Sequence, residues 1–213
     1  MATKSARVDR TWMLWLGLVV VVAIGAFVVS RSPFMRPVDW AVRLPALVGY
    51  LAVFAAAVTS AYLRQMVRWF GRPFLTVHHY LAIAGLVLLT LHPLAAALRA
   101  QSASLFVPDL SSALEFVRWG GRPAWYLLLA AAVAAVYRSR LGRRWRWLHG
   151  LTYVAFWLGT AHAIMLGADV QAPVPRVLAV LLVLIMLVVL VMKRREASAR
   201  RAGKAGPRRV TTS

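Results

Sequence analysis

The 213-residue chain has no cysteine, and only six acidic residues stand against 26 basic ones. Without cysteine there is no disulfide, no iron-sulfur cluster and no Cys-x-x-Cys-His attachment of a covalent haem. The acids exclude more by their positions, because Asp9, Asp39, Asp109, Glu115, Asp169 and Glu196 all fall outside the long apolar runs. A carboxylate-bridged di-iron centre or an acidic proton relay inside those runs is therefore not expected. No Gly-x-Gly-x-x-Gly follows a strand-like stretch, and no polar region of domain size is left to hold a flavin or a nicotinamide.

What remains is strongly apolar. Hydrophobic residues make up 61% of the chain and charged ones 15%, with a mean hydropathy of +0.68, well outside the range of an ordinary soluble domain. Apolar runs at roughly 11–29, 43–63, 74–98, 123–138, 147–167 and 175–192 are long enough, or nearly so, to cross a bilayer as helices. The expectation is an all-α integral membrane protein with a six-helix transmembrane bundle over 11–192, a short N-terminal tail over 1–10 and a basic, disordered tail over 193–213. The first run follows Lys4, Arg7 and Arg10 but has no small-residue cleavage pattern, so it reads as a retained helix and not a secretion signal. Pro45, Pro73, Pro123 and Pro175 stand at the starts of runs, where a missing amide hydrogen costs nothing. Ser112-x-x-Glu115 reads as a capping box opening a short helix along the membrane surface.

A net charge of +20 invites a nucleic-acid reading, but its distribution has another cause. With both termini in the cytosol, nineteen of the 26 basic residues fall in inner segments, and four of the six acids, Asp39, Asp109, Glu115 and Asp169, lie in outer ones. This is the positive-inside pattern of an even number of spans in a cell inner (plasma) membrane. Membrane lipid is thus the expected partner of the basic tail, and no nucleic acid is expected.

All five histidines lie in two of the spans: His78, His79 and His92 in the third, His149 and His162 in the fifth. An imidazole in hydrocarbon is costly unless paired, and iron gripped by facing imidazoles is the simplest pairing; four histidines in two near-matched pairs make two stacked bis-histidine haems b, held non-covalently. His78 and His92 are 14 apart, roughly 21 Å along a helix and nearly on one stripe, with Gly85 midway leaving room for a macrocycle or for a close helix. His149 and His162 are 13 apart, roughly 20 Å, so the heights of the two pairs match while their azimuths on an ideal helix do not. Tilt or an irregular turn near His149 has to make up the difference. His79, 13 from His92, competes with the favoured His78, and Met165 is an alternative thioether ligand but reads better as packing. Pro93 directly after His92 is expected to disturb the third helix.

The segments VHHYLAIAGLVLLTLHP and LGRRWRWLHGLTYVAFWLGTAHA resemble the ferric reductase-like transmembrane domain, over about Arg64 to Gly167. This family is shared by ferric reductases, NADPH oxidases and the membrane haem subunit of the methionine-sulfoxide reductase system. The resemblance implies crosswise ligation between the third and fifth helices, His78 with His149 for an inner haem and His92 with His162 for an outer one. The Leu-Gly-x-Arg-Trp-x-x-Leu-His phrase is also similar to the methionine-sulfoxide reductase subunit, which generally has no histidine where His78 stands; the extra histidine favours two haems. The function implied is electron transfer across the bilayer to an extracytoplasmic acceptor, ferric iron or a partner reductase. The chain would act as an oxidoreductase subunit fed by quinol or a separate reductase. A non-enzymatic haem carrier or sensor is the alternative. Arg72, Arg143, Arg144 and Arg146 are candidate partners for the inner propionates, and Arg99, Arg118 and Arg122 for the outer ones. Trp119, Trp125, Trp145 and Trp147 read as interface anchors.

Overall fold

A computed structural model describes residues 12–31, 36–60, 62 and 74–204, and among them the chain is helical, with no strand. In chain order the helices are α1 (Trp12–Ser30), α2 (Pro37–Thr59), α3 (Phe74–Ala100), α4 (Ala113–Arg118), α5 (Gly121–Val136), α6 (Arg138–Leu141), α7 (Trp145–His149), α8 (Leu151–Leu166) and α9 (Pro173–Lys204). Three of them, α2, α3 and α9, contain segments long and apolar enough to cross a membrane: Pro37–Thr59, Thr76–Ala100 and Pro173–Ala199. α5 and α8 are equally apolar but have 16 residues each, about 24 Å of helix against a hydrocarbon layer of about 30 Å.

Several boundaries depart from the sequence expectation for identifiable reasons. α2 begins six residues before the expected run, at Pro37, because Asp39 in its first turn accepts the Arg36 amide at 3.0 Å and Pro37 supplies the fixed φ. Asp39 is therefore inside a membrane-length helix, and Pro45 is in its interior and not at its start. Pro93 does not interrupt α3, which runs unbroken to Ala100. The expected disordered tail is corrected too: α9 continues past Met192 to Lys204, since Lys, Arg, Glu and Ala are all good helix formers and extend a helix already nucleated by packing. Residues 1–10 and 205–213, with Arg64, Arg68, Arg72 and Pro73, lie outside the described residues.

Two antiparallel pairs organise the rest. α2 and α3 form the most extensive contact of the fold, and α5 with α8 the next. Gly49 and Gly85 sit where α2 crosses α3. A Cβ on Gly85 would lie 2.8 Å from Val53 Cγ2, 3.1 Å from the Val53 amide nitrogen and 3.2 Å from the Gly49 carbonyl oxygen, so its missing side chain serves helix packing. Gly85→Ala is accordingly expected to lower stability by about 1–3 kcal/mol, the usual cost of overpacking. Gly159→Ala on α8, where a Cβ meets nothing within 4 Å, is expected to be neutral or slightly stabilising. Thermal unfolding in detergent compares the two, and equal melting temperatures would contradict this packing.

α2 also ties the two pairs together. At mid-height the Tyr50 hydroxyl and the Thr160 hydroxyl are hydrogen-bonded at 2.8 Å, and the Tyr50 ring stacks on Phe156 with centroids 4.5 Å apart. Near the start of α2 the Arg43 guanidinium grips the Asp169 carboxylate through two nitrogens, one of them Nε at 2.8 Å, locking α2 to the connection between α8 and α9. The long connection from α3 to α5 is ordered by local caps. Ser112 accepts the Glu115 amide at 3.1 Å to start α4, and the Asp109 carboxyl is held below its usual range by hydrogen bonds from Ser111.

Candidate functional site

Four of the five histidines share one arrangement. His78 on α3 donates from Nδ1 to the Ala56 carbonyl at 3.0 Å and His92 to the Val42 carbonyl at 2.8 Å, both on α2. His149, the last residue of α7, makes the same contact with the Ala131 carbonyl of α5 at 3.3 Å. His162 on α8 does so with the Arg118 carbonyl at the end of α4 at 3.0 Å. The register explains why. Moving from Ala56 through Gly49 to Val42 takes two steps of seven residues down α2, and from His78 through Gly85 to His92 two steps of seven up α3. Going from Ala131 to Arg118 is a step of 13 in one direction, matched by 13 from His149 to His162 in the other. His78, His92 and His149 thus each find, in an antiparallel neighbour, the carbonyl at their own height, and His162 finds the last carbonyl of α4.

Donation from Nδ1 fixes the neutral tautomer with the lone pair on Nε2, and the two ring nitrogens point in nearly opposite directions. A ring committed to a neighbouring carbonyl by Nδ1 therefore aims Nε2 away from that carbonyl. All four rings are half-buried. His79 differs: it is exposed, its ring contacts His78 at 6.0 Å between centroids, and it makes no hydrogen bond among the described residues.

The azimuthal mismatch between His149 and His162 is relieved by a break. The expected single span over 147–167 is two helices, α7 and α8, separated at Gly150, whose carbonyl accepts the Tyr153 amide three residues on at 3.1 Å in place of a regular four-residue bond. His149 is consequently free of the direction that α8 would impose on it. Its ring faces His78, with centroids 6.3 Å apart and planes at 72°. His92 and His162 are anchored at the other end of the two helix pairs, to the Val42 and Arg118 carbonyls. The His162 ring rests against Gly121, where a Cβ would come within 2.8 Å of Cδ2 and 3.0 Å of Nε2.

These residues fit a bis-imidazole metal group. A metal about 2.0–2.1 Å from one nitrogen of each ring would place the ring centres roughly 6.3 Å apart, which is the separation of the His78 and His149 rings. The backbone leaves space as well. α3 makes no extensive contact with α7 or α8, so the two histidine-bearing elements approach through their rings while each packs closely on its own partner. Trp157, on α8 between the two levels, carries a buried Nε1 donor with no acceptor among the described residues. No group of three or more His, Cys, Asp or Glu side chains that could hold a metal ion gathers among the described residues.

The arginines and tryptophans are placed less uniformly. Arg99 pairs with Asp39 at 2.9 Å and Arg118 with Glu115 at 3.3 Å. Arg122 donates to the Val107 carbonyl at 2.8 Å and lies over Trp119. Arg143, Arg144 and Arg146 are exposed at the opposite end. Trp147 is 74% exposed, and Trp125 is half-buried and donates to Thr90 at 3.1 Å, joining α5 to α3. Sequence reasoning missed the four acceptor carbonyls and Gly121; carbonyls carry no sequence signal, whereas Gly120-Gly121 opening a helix was visible. Met165 is 38% exposed near the end of α8. Comparison with protein-family models, curated proteins and solved structures finds no match to this chain.

Proposed function

We propose that the chain is a b-type haem protein of the ferric reductase-like kind, passing electrons across a cell inner membrane through two stacked bis-histidine haems. The single observation carrying this reading is that four histidines at two heights each donate Nδ1 to a backbone carbonyl, the support that metal-bound imidazoles almost always have. A histidine kept only for helix packing has no reason to repeat one tautomer at four positions. His78 with His149 form the inner site and His92 with His162 the outer one. Six crossings, with both termini in the cytosol, place these sites at the two faces. α7 and α8 together run from Trp145 to Leu166, a length that completes the fifth crossing which α8 alone falls short of.

An iron porphyrin with two imidazole ligands supplies one-electron exchange with no open coordination position. The protein's own residues do the rest. Ala56, Val42, Ala131 and Arg118 orient the rings through their carbonyls and raise ring basicity. Phe156, Ala52 and Ala131 are buried. The Tyr50–Thr160 bond and the Arg43–Asp169 pair hold the two helix pairs at one spacing. With no flavin or nicotinamide site in the sequence, electrons enter from quinol or a separate reductase and leave to ferric iron or a partner protein outside.

The test is the pyridine haemochrome content of the purified protein together with a redox titration. Two haems per chain, low-spin in both oxidation states and titrating with two midpoint potentials, are expected. One haem with an exchangeable ligand would indicate a carrier or sensor, and none would end the proposal.

A further inference from the structure

Exposed arginines from two separate elements converge at the end of the fold where α5 finishes and α8 begins. The connection between those helices carries five arginines from Arg138 to Arg146, all exposed, and α9 adds the exposed Arg194 and Arg195. Lys193 donates to the Ser60 carbonyl just past the end of α2, which fixes the basic turn of α9 against the body of the fold. None of these arginines is ion-paired with a carboxylate among the described residues; Glu196, the described acid nearest them in sequence, is itself exposed.

Aromatic rings hold three of the guanidiniums in place. Arg140 lies 5.5 Å from the Tyr137 ring centre, Arg146 5.9 Å from that of Trp145 and Arg194 6.0 Å from that of Trp147. The last contact ties α9 to α7, so Arg146 and Arg194 rest on rings two residues apart in the chain. A guanidinium lying over a ring face keeps its in-plane N–H donors for an anion. Apolar side chains are open between the charges: Val136 and Trp147 are each 74% exposed, and Tyr137 and Leu148 are exposed as well. A bilayer interface takes up both kinds of group, indole and phenol rings at headgroup depth and arginines on the lipid phosphates. An acidic water-soluble partner would match the charges but leave the valine and leucine without a role. Nor is topology a sufficient cause, because it requires positive charge on one side of the membrane and not the meeting of two elements on adjacent tryptophans.

We propose that the connection between α5 and α8, together with the basic turn of α9, forms one binding site for the phosphate headgroup of an anionic phospholipid, with Arg146 and Arg194 as its paired donors and Trp147 between them. The site stands on the membrane character of the chain and is independent of the haem reading.

The experiment is native mass spectrometry of the purified full chain in neutral detergent with equimolar phosphatidylglycerol and phosphatidylcholine. Wild type is expected to retain phosphatidylglycerol selectively and saturably. Arg146→Gln/Arg194→Gln is expected to weaken that retention roughly fivefold per arginine removed, the contribution of one cation at an anionic membrane surface. Arg146→Lys/Arg194→Lys is expected to keep most of it. Arg31→Gln/Arg176→Gln, which removes the same charge at exposed positions towards the other end of the fold, is expected to change nothing. Equal retention of the two lipids by wild type would overturn the proposal. So would an equal loss in the two glutamine pairs, which would mean diffuse charge and no site. If wild type shows no lipid preference but binds fluorescent polyglutamate, and Arg146→Gln/Arg194→Gln abolishes that binding, the surface fits an acidic protein and the lipid site is wrong. A chain that purifies without haem yet selects phosphatidylglycerol would end the haem reading and leave this site standing.

Discussion

Replacing any one of His78, His92, His149 or His162 with alanine is expected to reduce the haem content of the purified protein from two per chain to one, whereas His79→Ala keeps both. The difference follows from geometry: the four rings have Nδ1 committed to Ala56, Val42, Ala131 and Arg118, and His79 is exposed without such a bond. A lone remaining imidazole holds iron on one side only, so any residual haem at the damaged level becomes high-spin and labile. Pairing makes the result sharper. His78→Ala and His149→Ala are expected to remove the same midpoint potential, and His92→Ala and His162→Ala the other. If the four variants fall into pairs joined along a helix, His78 with His92 and His149 with His162, crosswise ligation is wrong. If His79→Ala loses a haem and His78→Ala does not, the ligand on α3 is the neighbouring residue.

The separate roles of helix and carbonyl explain how much of this was legible in the sequence. Apolar length located the helices well where the apolar run itself sets the ends, as in α3, expected over 74–98 and found from Phe74 to Ala100. It failed where polar residues extend a helix, as at Asp39 in α2 and through the basic residues of α9, because capping and helix propensity, not hydropathy, decide those turns. Histidine types and spacing were visible, as was the angular conflict between His149 and His162. Its resolution at Gly150 was not, since a glycine in a helical stretch signals a break only when neighbouring packing selects one. Acceptors were the least legible part. Every residue has a carbonyl, and only the register of an antiparallel pair determines which one meets an imidazole.

Gly121→Ala is expected to remove the outer haem while leaving the fold and the inner haem intact. A Cβ there would lie 2.8 Å from Cδ2, 3.0 Å from Nε2 and 3.1 Å from Cγ of His162, closer than such contacts tolerate. Moving the ring away means giving up its 3.0 Å bond to the Arg118 carbonyl, and disturbing a ligand's outer partner typically weakens metal binding on the order of 10- to 100-fold. The adjacent Gly120→Ala makes the control. Its Cβ would meet the Val117 and Leu158 carbonyl oxygens at 2.7 and 2.8 Å, backbone atoms that cannot rotate aside, so stability falls by about 1–3 kcal/mol and both haems become easier to lose. Haem dissociation rates, measured by transfer to an excess of apo-acceptor and set beside melting temperature, separate the two outcomes. Should Gly121→Ala release both haems at wild-type rates, His162 does not hold iron from this position, and the outer site has to be sought elsewhere on α3.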